Sequence, residues 1–353
     1  MLSKRKLTKK VKIGDKFIGG ESRILLQSMT NTKTSDVQST IKQIKRLEAA
    51  GCEIVRVSVP DKDSAKALKS IKEHISIPLI ADIHFDYRLA IMAVEMGADA
   101  LRLNPGNIGG DQRLLEAANA AKQNGASMRI GVNMGSLDKE VSDKLGYTPE
   151  AMVKSALDKI SLLEEKAKFY NIVVSLKSSD VEKTIKAYSL FSGKSDYPLH
   201  LGITEAGTYI SGSVKSSIGI GYLLLNGIGD TIRVSLSDDP VKEIEVGRLI
   251  LKTAGCITGP EIISCPTCAR TNIDIIGMSK TVENALKNVN KNIKVAVMGC
   301  AVNGPGEAKN ADIGIAGGAG SALLFVKGKI IGKYPQEEII SVLLEKINNM
   351  DFQ

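Results

Sequence analysis

Three cysteines in the last third of the chain have a spacing that suits a metal or a cluster. Cys265 and Cys268 form a C-x-x-C pair, and Cys300 opens the segment CAVNGPGE, which ends at Glu307. A C-x-x-C pair lets two thiolates reach one metal or cluster, and a third cysteine can complete the set. Three thiolates and the carboxylate of Glu307 suit a [4Fe–4S] cluster with one weakly held iron, which could exchange its ligand for a substrate oxygen.

Other uses of these cysteines fit the pattern less well. A redox dithiol would belong near a thioredoxin-like βαβ unit, and a zinc site would need a second C-x-x-C or a pair of histidines. Cys256 is the rival of Glu307 for the fourth ligand, whereas Cys52 is expected to be a small core residue. The sequence shows no export signal, which predicts a reducing, cytoplasmic location where thiols bind metals or react and do not form disulfides.

A second set of polar residues recurs with the parity of β-strands. In the run IVRVSV, alternation places Val55, Val57 and Val59 on one face and leaves Arg56 and Ser58 on the other. The same parity pairs Asp82 with His84, Arg102 with Asn104, Arg129 with Asn133, Ser175 with Lys177, His200 with Thr204, and Arg233 with Ser235. Each pair lies in the carboxyl-terminal half of its strand, where barrel enzymes place their active sites.

Four arginines and one lysine with this parity predict an anion site. Buried charges of one sign repel one another unless an anion neutralises them, and the planar guanidinium matches phosphate oxygens. The expected ligand is therefore a small polyanion such as a diphosphate. Glu205 follows Thr204 and is the candidate proton donor, while His84 and His200 are candidate hydrogen-bond donors to the substrate.

The elements that position these residues alternate regularly through the first 255 residues. Strand-like runs cover 24–29, 54–59, 78–83, 100–105, 129–133, 172–177, 199–204 and 231–236. Helical patterns cover 36–50, 62–74, 86–97, 111–124, 150–169, 181–191, 211–226 and 240–254. Eight strand–helix units predict a TIM-type (β/α)8 barrel over residues 1–255. A doubly wound open sheet competes less well, since no glycine-rich phosphate turn follows the first strand.

A different pattern begins after Gly255 and predicts a smaller α+β iron–sulfur domain over residues 256–353. The two cysteine segments come first and are followed by a glycine-rich stretch from Gly314 to Gly320, in which the run from Gly317 to Gly320 indicates a tight turn between strands. A hairpin-like run covers 322–334, and an amphipathic helix covers 336–349.

Composition limits the class of protein. The 353 residues include 43% hydrophobic and 24% charged residues, as expected of a globular chain, and no apolar run is long enough to span a bilayer. The net charge is +8, and six of the positive charges lie in residues 1–12, which are interpreted as a solvated basic tail. Aromatic residues make up only 4% and form no stacking cluster, so no nucleic acid is expected as partner.

Several segments together resemble one enzyme family. They are SCPTCART, VAVMGCAVNGPGEAKNADIGIAGG, ADIHFDYRLA, LRLNPGNIG, RIGVN, GITEAG and IRVSLS. These segments resemble the 4-hydroxy-3-methylbut-2-enyl diphosphate synthases, iron–sulfur enzymes of the non-mevalonate isoprenoid pathway. No long insert separates barrel and cluster domain, so the resemblance is to the short bacterial form.

The resemblance implies a reaction and a set of residues. The substrate would be 2-C-methyl-D-erythritol 2,4-cyclodiphosphate, whose ring is opened by two electrons with loss of a hydroxyl as water. Ferredoxin or flavodoxin would supply the electrons to a [4Fe–4S] cluster bound by Cys265, Cys268, Cys300 and Glu307. The residues implied to bind substrate are Arg56, His84, Arg102, Arg129, Asn133, Lys177, Thr204, Arg233 and Ser235, with Glu205 and Glu307 as catalytic residues. The family also implies a head-to-tail homodimer, in which one subunit's cluster domain closes over the other's barrel.

Two rival interpretations remain at this point. One is a redox-neutral lyase or transferase acting on a phosphorylated sugar, with Lys177 forming a Schiff base and the cysteines holding a structural zinc. The other is an iron–sulfur protein that binds nucleic acid through its basic arm.

Overall fold

The computed structural model describes residues 4–287, 289, 291–300, 310–318 and 320–349. The chain divides into two compact units, Met1–Cys256 and Ile257–Gln353.

The first unit is a barrel of parallel strands, as the sequence predicts. The strands are β3 (Leu25–Met29), β4 (Ile54–Ser58), β5 (Leu79–Ile83), β6 (Ala100–Leu103), β7 (Ser127–Asn133), β8 (Ile172–Lys177), β9 (His200–Leu201) and β10 (Thr231–Ile232). Their order in the sheet is β8-β7-β6-β5-β4-β3-β10-β9, and a parallel bridge between Val174 and Leu199 joins the two end strands. The last two strands are shorter than predicted, so residues 204, 205, 233 and 235 lie in the segments that follow them.

Helices surround the barrel. They are α1 (Val37–Ala49), α2 (Lys62–Glu73), α3 (Tyr87–Glu95), α4 (Asp111–Gln123), α5 (Lys139–Leu145), α6 (Pro149–Leu162), α7 (Val181–Ser192), α8 (Tyr209–Leu225) and α9 (Pro240–Thr253). Side-chain oxygens of Asp or Thr cap the first turn of most of them, as Asp61 does for α2 and Thr148 for α6. No helix in the described part of the chain is both long enough and apolar enough to cross a membrane.

Two helical predictions differ from the structure. Helix α5 was not predicted because it buries no residue and therefore carries no apolar periodicity. The predicted helix 150–169 ends earlier, as α6 followed by a π-helical turn over Leu163–Ala167, and Lys168 then adopts a left-handed conformation with φ 48°.

An N-terminal hairpin closes the amino-terminal end of the barrel. Strands β1 (Val11–Ile13) and β2 (Lys16–Ile18) pair antiparallel. Their apolar side chains join the strand starts in one buried cluster formed by Val11, Ile13, Ile18, Leu25, Ile54, Ile80, Ala100 and Val173. The barrel is therefore closed by apolar packing at this end, and its polar lumen faces the carboxyl ends of the strands.

The prediction of a solvated basic tail was wrong from residue 5 onward. Arg5 donates hydrogen bonds to the carbonyl oxygens of Gly20 and Ser22 at 2.5 and 2.6 Å. Lys6 forms an ion pair of 2.9 Å with Asp196. Because carbonyls and carboxylates of the barrel meet these cations, the arm is bound to the barrel surface.

The second unit is a five-stranded sheet with helices, which confirms the predicted α+β class. Its elements are β11 (Glu261–Ser264), α10 (Ile275–Leu286), β12 (Lys294–Met298), β13 (Ile313–Gly318), β14 (Ser321–Val326), β15 (Lys329–Pro335) and α11 (Ile339–Asn349). Strands β11, β12 and β13 run parallel, and β14 and β15 form the predicted hairpin at one edge. Helices α10 and α11 bury Val282 and Leu343 against Val295 and Ile315 of the sheet.

Candidate active site

The five predicted cations converge in the lumen at the carboxyl end of the barrel strands. Arg102, Arg129 and Lys177 are buried on β6, β7 and β8. The side chains of Arg56 and Arg233 are mostly buried, at 11% and 15% exposure. Parallel strands in register explain the convergence, since Arg102 pairs with Arg129 and Asn133 pairs with Lys177 across neighbouring strands. We call these five residues the cation ring.

Asp82 is a buried carboxylate that contacts two arginines of the ring. Its oxygens lie 3.7 Å from Arg56 Nε, 3.3 Å from Arg102 Nη1 and 3.4 Å from His84 Nε2. Burial alone would raise the pKa of Asp82, but Arg56, His84 and Arg102 together bring it below its usual range. Asp82 is therefore an anion that fixes two arginines and one histidine.

A second carboxylate and one amide hold the other two arginines. Glu243 on α9 accepts hydrogen bonds from Arg233 Nε at 3.2 Å and from Arg233 Nη2 at 3.0 Å. Gln27 on β3 accepts a hydrogen bond of 3.0 Å from Arg129 Nη1. Each arginine of the ring thus has a hydrogen-bond or ion-pair partner that limits its orientation.

Glycines create the space that two of the cations occupy. A Cβ on Gly131 would lie 2.8 Å from Arg102 Nε, and a Cβ on Gly202 would lie 2.5 Å from Lys177 Nζ. Such contacts are closer than van der Waals packing allows, so any side chain at either position would displace a cation. The strand glycines are therefore part of the site.

Positive charge in the ring exceeds negative charge. Five basic side chains, four of them arginines, face the two carboxylates Asp82 and Glu243, and neither Arg129 nor Lys177 forms an ion pair among the described residues. Burial lowers the pKa of Lys177 well below its usual value, and the neighbouring Arg129, Arg56 and Arg233 lower it further. Burial likewise lowers the pKa of Arg56 to about 10. A dianion in the lumen would relieve this excess of positive charge.

The remaining predicted residues surround the ring at the mouth. Asn133 ends β7, and Thr204 and Ser235 lie half-buried beyond β9 and β10. His84 follows β5 with 46% of its side chain exposed and one nitrogen directed at Asp82. These four side chains offer further hydrogen-bonding groups beside the cations.

Glu205 has an unusual backbone conformation. It is exposed, with φ 51°, and its carboxylate has no hydrogen-bond or ion-pair partner in the described part of the chain. A non-glycine residue in this region costs about 1–3 kcal/mol, and such strain concentrates at functional sites. The strain and the unpaired carboxylate both support a functional role for Glu205.

His200 lies deeper in the barrel than a residue of the mouth. It is fully buried, its Nδ1 lies 3.0 Å from Thr231 Oγ1, and it lines a narrow internal cavity with Gln27 and Arg129. Burial and the nearby cations hold the pKa of His200 well below its usual value. His200 therefore lies in the interior of the barrel, along the same cavity as Arg129, and not at the mouth.

The cysteines of the second unit lie at the ends of two neighbouring strands. Cys265 follows β11, Cys300 lies two residues beyond β12, and the two strands pair in parallel with Ser264 opposite Val297. The thiol of Cys265 accepts a hydrogen bond of 3.1 Å from the backbone N–H of Gly299. The cysteine segments are therefore adjacent at one edge of the sheet.

The donor chemistry fits a thiolate-bound cluster. Cys268 is exposed, and a hydrogen bond from the backbone N–H of Arg270 lowers its pKa, which favours the thiolate that binds metal. Among the described residues, however, no three potential ligands converge closely enough to hold a metal ion, and Glu307 lies outside those residues. Cys256, the rival ligand, ends the barrel unit, and burial raises its pKa. Cys52 is buried, as expected of a core residue.

Sequence reasoning overlooked several residues that build the site. Glu243 and Gln27 were not identified, because nothing in their local sequence shows which distant arginine they meet. The glycines did leave a signal, since a glycine inside a β-branched strand indicates the close approach of another group. Asp82 was paired with His84 by parity, but its role as the shared partner of two arginines was not predicted.

Comparisons with known proteins place the chain in a family. The GcpE TIM-barrel domain matches residues 8–248, and the GcpE protein C-terminal domain matches residues 261–349. A protein of Caldanaerobacter subterraneus subsp. tengcongensis, named 4-hydroxy-3-methylbut-2-en-1-yl diphosphate synthase (flavodoxin), is 58% identical over 99% of both chains. A protein of the same name from Ruminiclostridium cellulolyticum is 56% identical over 98% of this chain and 99% of its own.

Solved structures add the fold of the barrel alone. A dihydropteroate synthase of Yersinia pestis in complex with a sulfonamide drug matches 70% of this chain and all of its own, with a TM-score of 0.51 and 10% sequence identity. This likeness supports the barrel architecture and carries no information about the reaction. The two family models and the full-length relatives together show that the chain belongs to the GcpE family.

Proposed function

We propose that the chain reduces 2-C-methyl-D-erythritol 2,4-cyclodiphosphate to 4-hydroxy-3-methylbut-2-enyl diphosphate in isoprenoid biosynthesis. The observation that carries this proposal is the cation ring, whose five basic side chains face two carboxylates in a mostly buried lumen. The printed name of the full-length relatives supports the same activity. The reaction is C5H10O9P2²⁻ + 2 e⁻ + 2 H⁺ → C5H10O8P2²⁻ + H2O. One C–O bond within the ring is broken, and one hydroxyl leaves as water.

The barrel residues bind and orient the substrate. The cation ring binds the diphosphate through charge-assisted hydrogen bonds, and Ser235 adds a neutral donor. His84, Asn133 and Thr204 contact the carbon skeleton and its hydroxyls from the rim of the ring. Because buried acceptors fix the arginines before the ligand arrives, little reorganisation is needed on binding. Glu205 donates the proton to the departing hydroxyl.

Cys265, Cys268, Cys300 and Glu307 would hold a [4Fe–4S] cluster. The cluster would supply the two electrons one at a time and act as a Lewis acid toward a substrate oxygen. The relatives' printed name supports flavodoxin as the electron donor over ferredoxin. At this edge the backbone N–H of Arg270 favours the thiolate form of Cys268 by lowering its pKa.

The cluster predicts a specific metal content. Protein purified without oxygen is expected to contain about four irons and four acid-labile sulfides per chain, with a broad absorption band. Cys268→Ser should lose most of this iron and all reductant-driven turnover, whereas the matched change Cys256→Ser should keep both. One zinc and no sulfide would contradict the proposal and favour the redox-neutral lyase in which Lys177 forms a Schiff base.

Glu205 is expected to act in turnover and not in binding. Glu205→Gln keeps the size of the side chain and its left-handed backbone but removes the transferable proton. We expect the turnover number to fall by about 100-fold or more, with a change in KM of less than about threefold. Steady-state kinetics with a chemical reductant measure both constants. Unchanged turnover would remove Glu205 from the chemistry.

We also propose that the chain works in the cytoplasm as a head-to-tail homodimer. In this arrangement the cluster domain of one subunit serves the barrel of its partner, as the family resemblance implies. Self-association is supported by an apolar stripe on α8, where four large side chains at a spacing of four residues are exposed: Ile210, Val214, Ile218 and Tyr222.

A further inference from the structure

Glu243 is an unexpected residue for its place in the fold. It lies in the first turn of α9, is only 3% exposed, and faces the barrel from a layer that otherwise buries apolar side chains such as Ile244 and Leu251. Burying a carboxylate is costly unless hydrogen bonds and an opposite charge compensate. Its position therefore calls for an account of what it binds.

The carboxylate of Glu243 joins three separate segments. Its Oε2 accepts hydrogen bonds from Arg233 Nε at 3.2 Å and from Ser28 Oγ of β3 at 2.9 Å. Its Oε1 accepts from Arg233 Nη2 at 3.0 Å and from the backbone N–H of Leu236 at 3.2 Å. One side chain thus connects strand β3, the segment after β10 and helix α9.

These bonds fix one edge of the Arg233 guanidinium. The pairing is bidentate through Nε and Nη2, a geometry that sets the plane of the group as well as its position. Neither bond uses Nη1, which remains for a ligand in the lumen. The bond to Leu236 also fixes the backbone that follows Ser235, so two adjacent parts of the proposed diphosphate site depend on the same carboxylate.

We propose that Glu243 is a positioning residue, which holds Arg233 and the segment 233–236 in the geometry that binds the diphosphate. This inference rests on the proposed function for the identity of the ligand. Without Glu243, the guanidinium of Arg233 would be free to adopt several rotamers. Ordering it when the ligand binds would cost conformational entropy and weaken the affinity. Asp82 and Gln27 support the other arginines from barrel strands, whereas Glu243 makes the site depend on a helix outside the barrel.

A double-mutant cycle on the holoenzyme tests the proposal. The readouts are the Kd for inorganic pyrophosphate by calorimetry at one pH, and KM and kcat for the cyclodiphosphate. Glu243→Gln should raise the pyrophosphate Kd and the KM by about tenfold and change kcat by less than about threefold. In an Arg233→Ala background the same change should raise Kd by only about twofold, because Glu243 acts mainly through Arg233 and only its bond to the Leu236 backbone then remains.

Two further variants separate positioning from a loss of stability. Asp230→Asn is the matched control, since Asp230 is a buried carboxylate that accepts hydrogen bonds from Leu199 N and Thr8 Oγ1 and forms no ion pair with an arginine in the described part of the chain. It should lower the Tm without changing the pyrophosphate Kd. Ser28→Ala removes only one partner of Glu243 and should raise Kd by about two- to threefold, which keeps the test usable if Glu243→Gln does not fold.

The outcomes distinguish this inference from the proposed function. Two results would overturn the positioning role. One is a wild-type Kd in Glu243→Gln, and the other is an equal increase in Kd whether or not Arg233 is present. Pyrophosphate that does not bind to the wild-type protein at all would overturn the diphosphate site itself. Because pyrophosphate binding needs no electrons, a protein that binds it but fails to reduce the cyclodiphosphate would contradict only the proposed reaction.

Discussion

A mixture of two inactive variants is expected to recover activity if the subunits are arranged head to tail. Arg102→Met removes a buried cation of the ring, and Cys268→Ser removes a cluster ligand, so each homodimer should retain less than about 1% of wild-type turnover. In a heterodimer, the intact barrel of one subunit meets the intact cluster domain of the other. Random exchange makes half of the dimers mixed, each with one complete site of two, so activity should rise to about a quarter of wild type.

The control is a pair of variants that damage the same unit. Arg102→Met mixed with Glu205→Gln leaves no subunit with an intact barrel, so this mixture should stay inactive in any arrangement. Light scattering before and after exchange measures the oligomeric state. If the mixture of Arg102→Met and Cys268→Ser also stays inactive although heterodimers form, each chain uses its own cluster domain. A fully active monomer would equally exclude the head-to-tail dimer.

Strand parity predicted the cation ring because barrel strands impose a simple geometry. Alternation along a strand sends every second side chain to the lumen, and parallel register brings residues at similar strand positions to one height. Arg102 and Arg129, 27 positions apart in the sequence, are register partners for this reason. The cysteine segments follow the same logic, since β11 and β12 are parallel and the thiols come just after their carboxyl ends.

The partners of the ring could not be predicted in the same way. Glu243 is separated from Ser28 by most of the barrel sequence, and only the closure of the barrel between β10 and β3 brings them together. The basic arm was misinterpreted for a related reason. Its local composition resembles a solvated tail, while two of the carboxylates that bind it, Asp196 and Glu164, lie more than 150 residues away.

Replacement of Lys177 by Met is expected to stabilise the ligand-free protein and to weaken its affinity for the diphosphate. Lys177 is buried without an ion-pair partner among the described residues, so an apolar side chain of similar length should raise the free energy of unfolding by about 1 kcal/mol or more. For a unit of this size that is about 2–4 °C in Tm. Loss of a charge from a buried phosphate site should raise the Kd by about 30-fold or more.

Lys159→Met is the matched control for these two effects, the gain in stability and the loss of affinity. Lys159 is a mostly buried lysine on α6 that is not a member of the ring and pairs with Asp111 at 2.7 Å and with Asp138 at 3.8 Å. Its replacement should lower the Tm or leave it unchanged, with no effect on Kd. If Lys177→Met instead lowered the Tm and left the Kd at its wild-type value, Lys177 would be a structural residue whose charge is satisfied in the free protein.

The same residue predicts proton uptake when the substrate binds. The charged or titratable groups around Lys177 are Arg129, Arg56, Arg233, Arg102 and His200. Burial and the four arginines keep the pKa of Lys177 low in the free enzyme, and a bound dianion must raise it again. At a pH between the pKa of Lys177 in the free enzyme and its pKa in the complex, binding therefore takes up as much as one proton.

The cyclic diphosphate is a strong acid at both phosphates and contributes no proton of its own near neutral pH. Calorimetric titration without reductant, in two buffers of different ionisation enthalpy, should show this uptake in the wild type and lose it in Lys177→Met. Equal uptake in both proteins would assign the proton to another group.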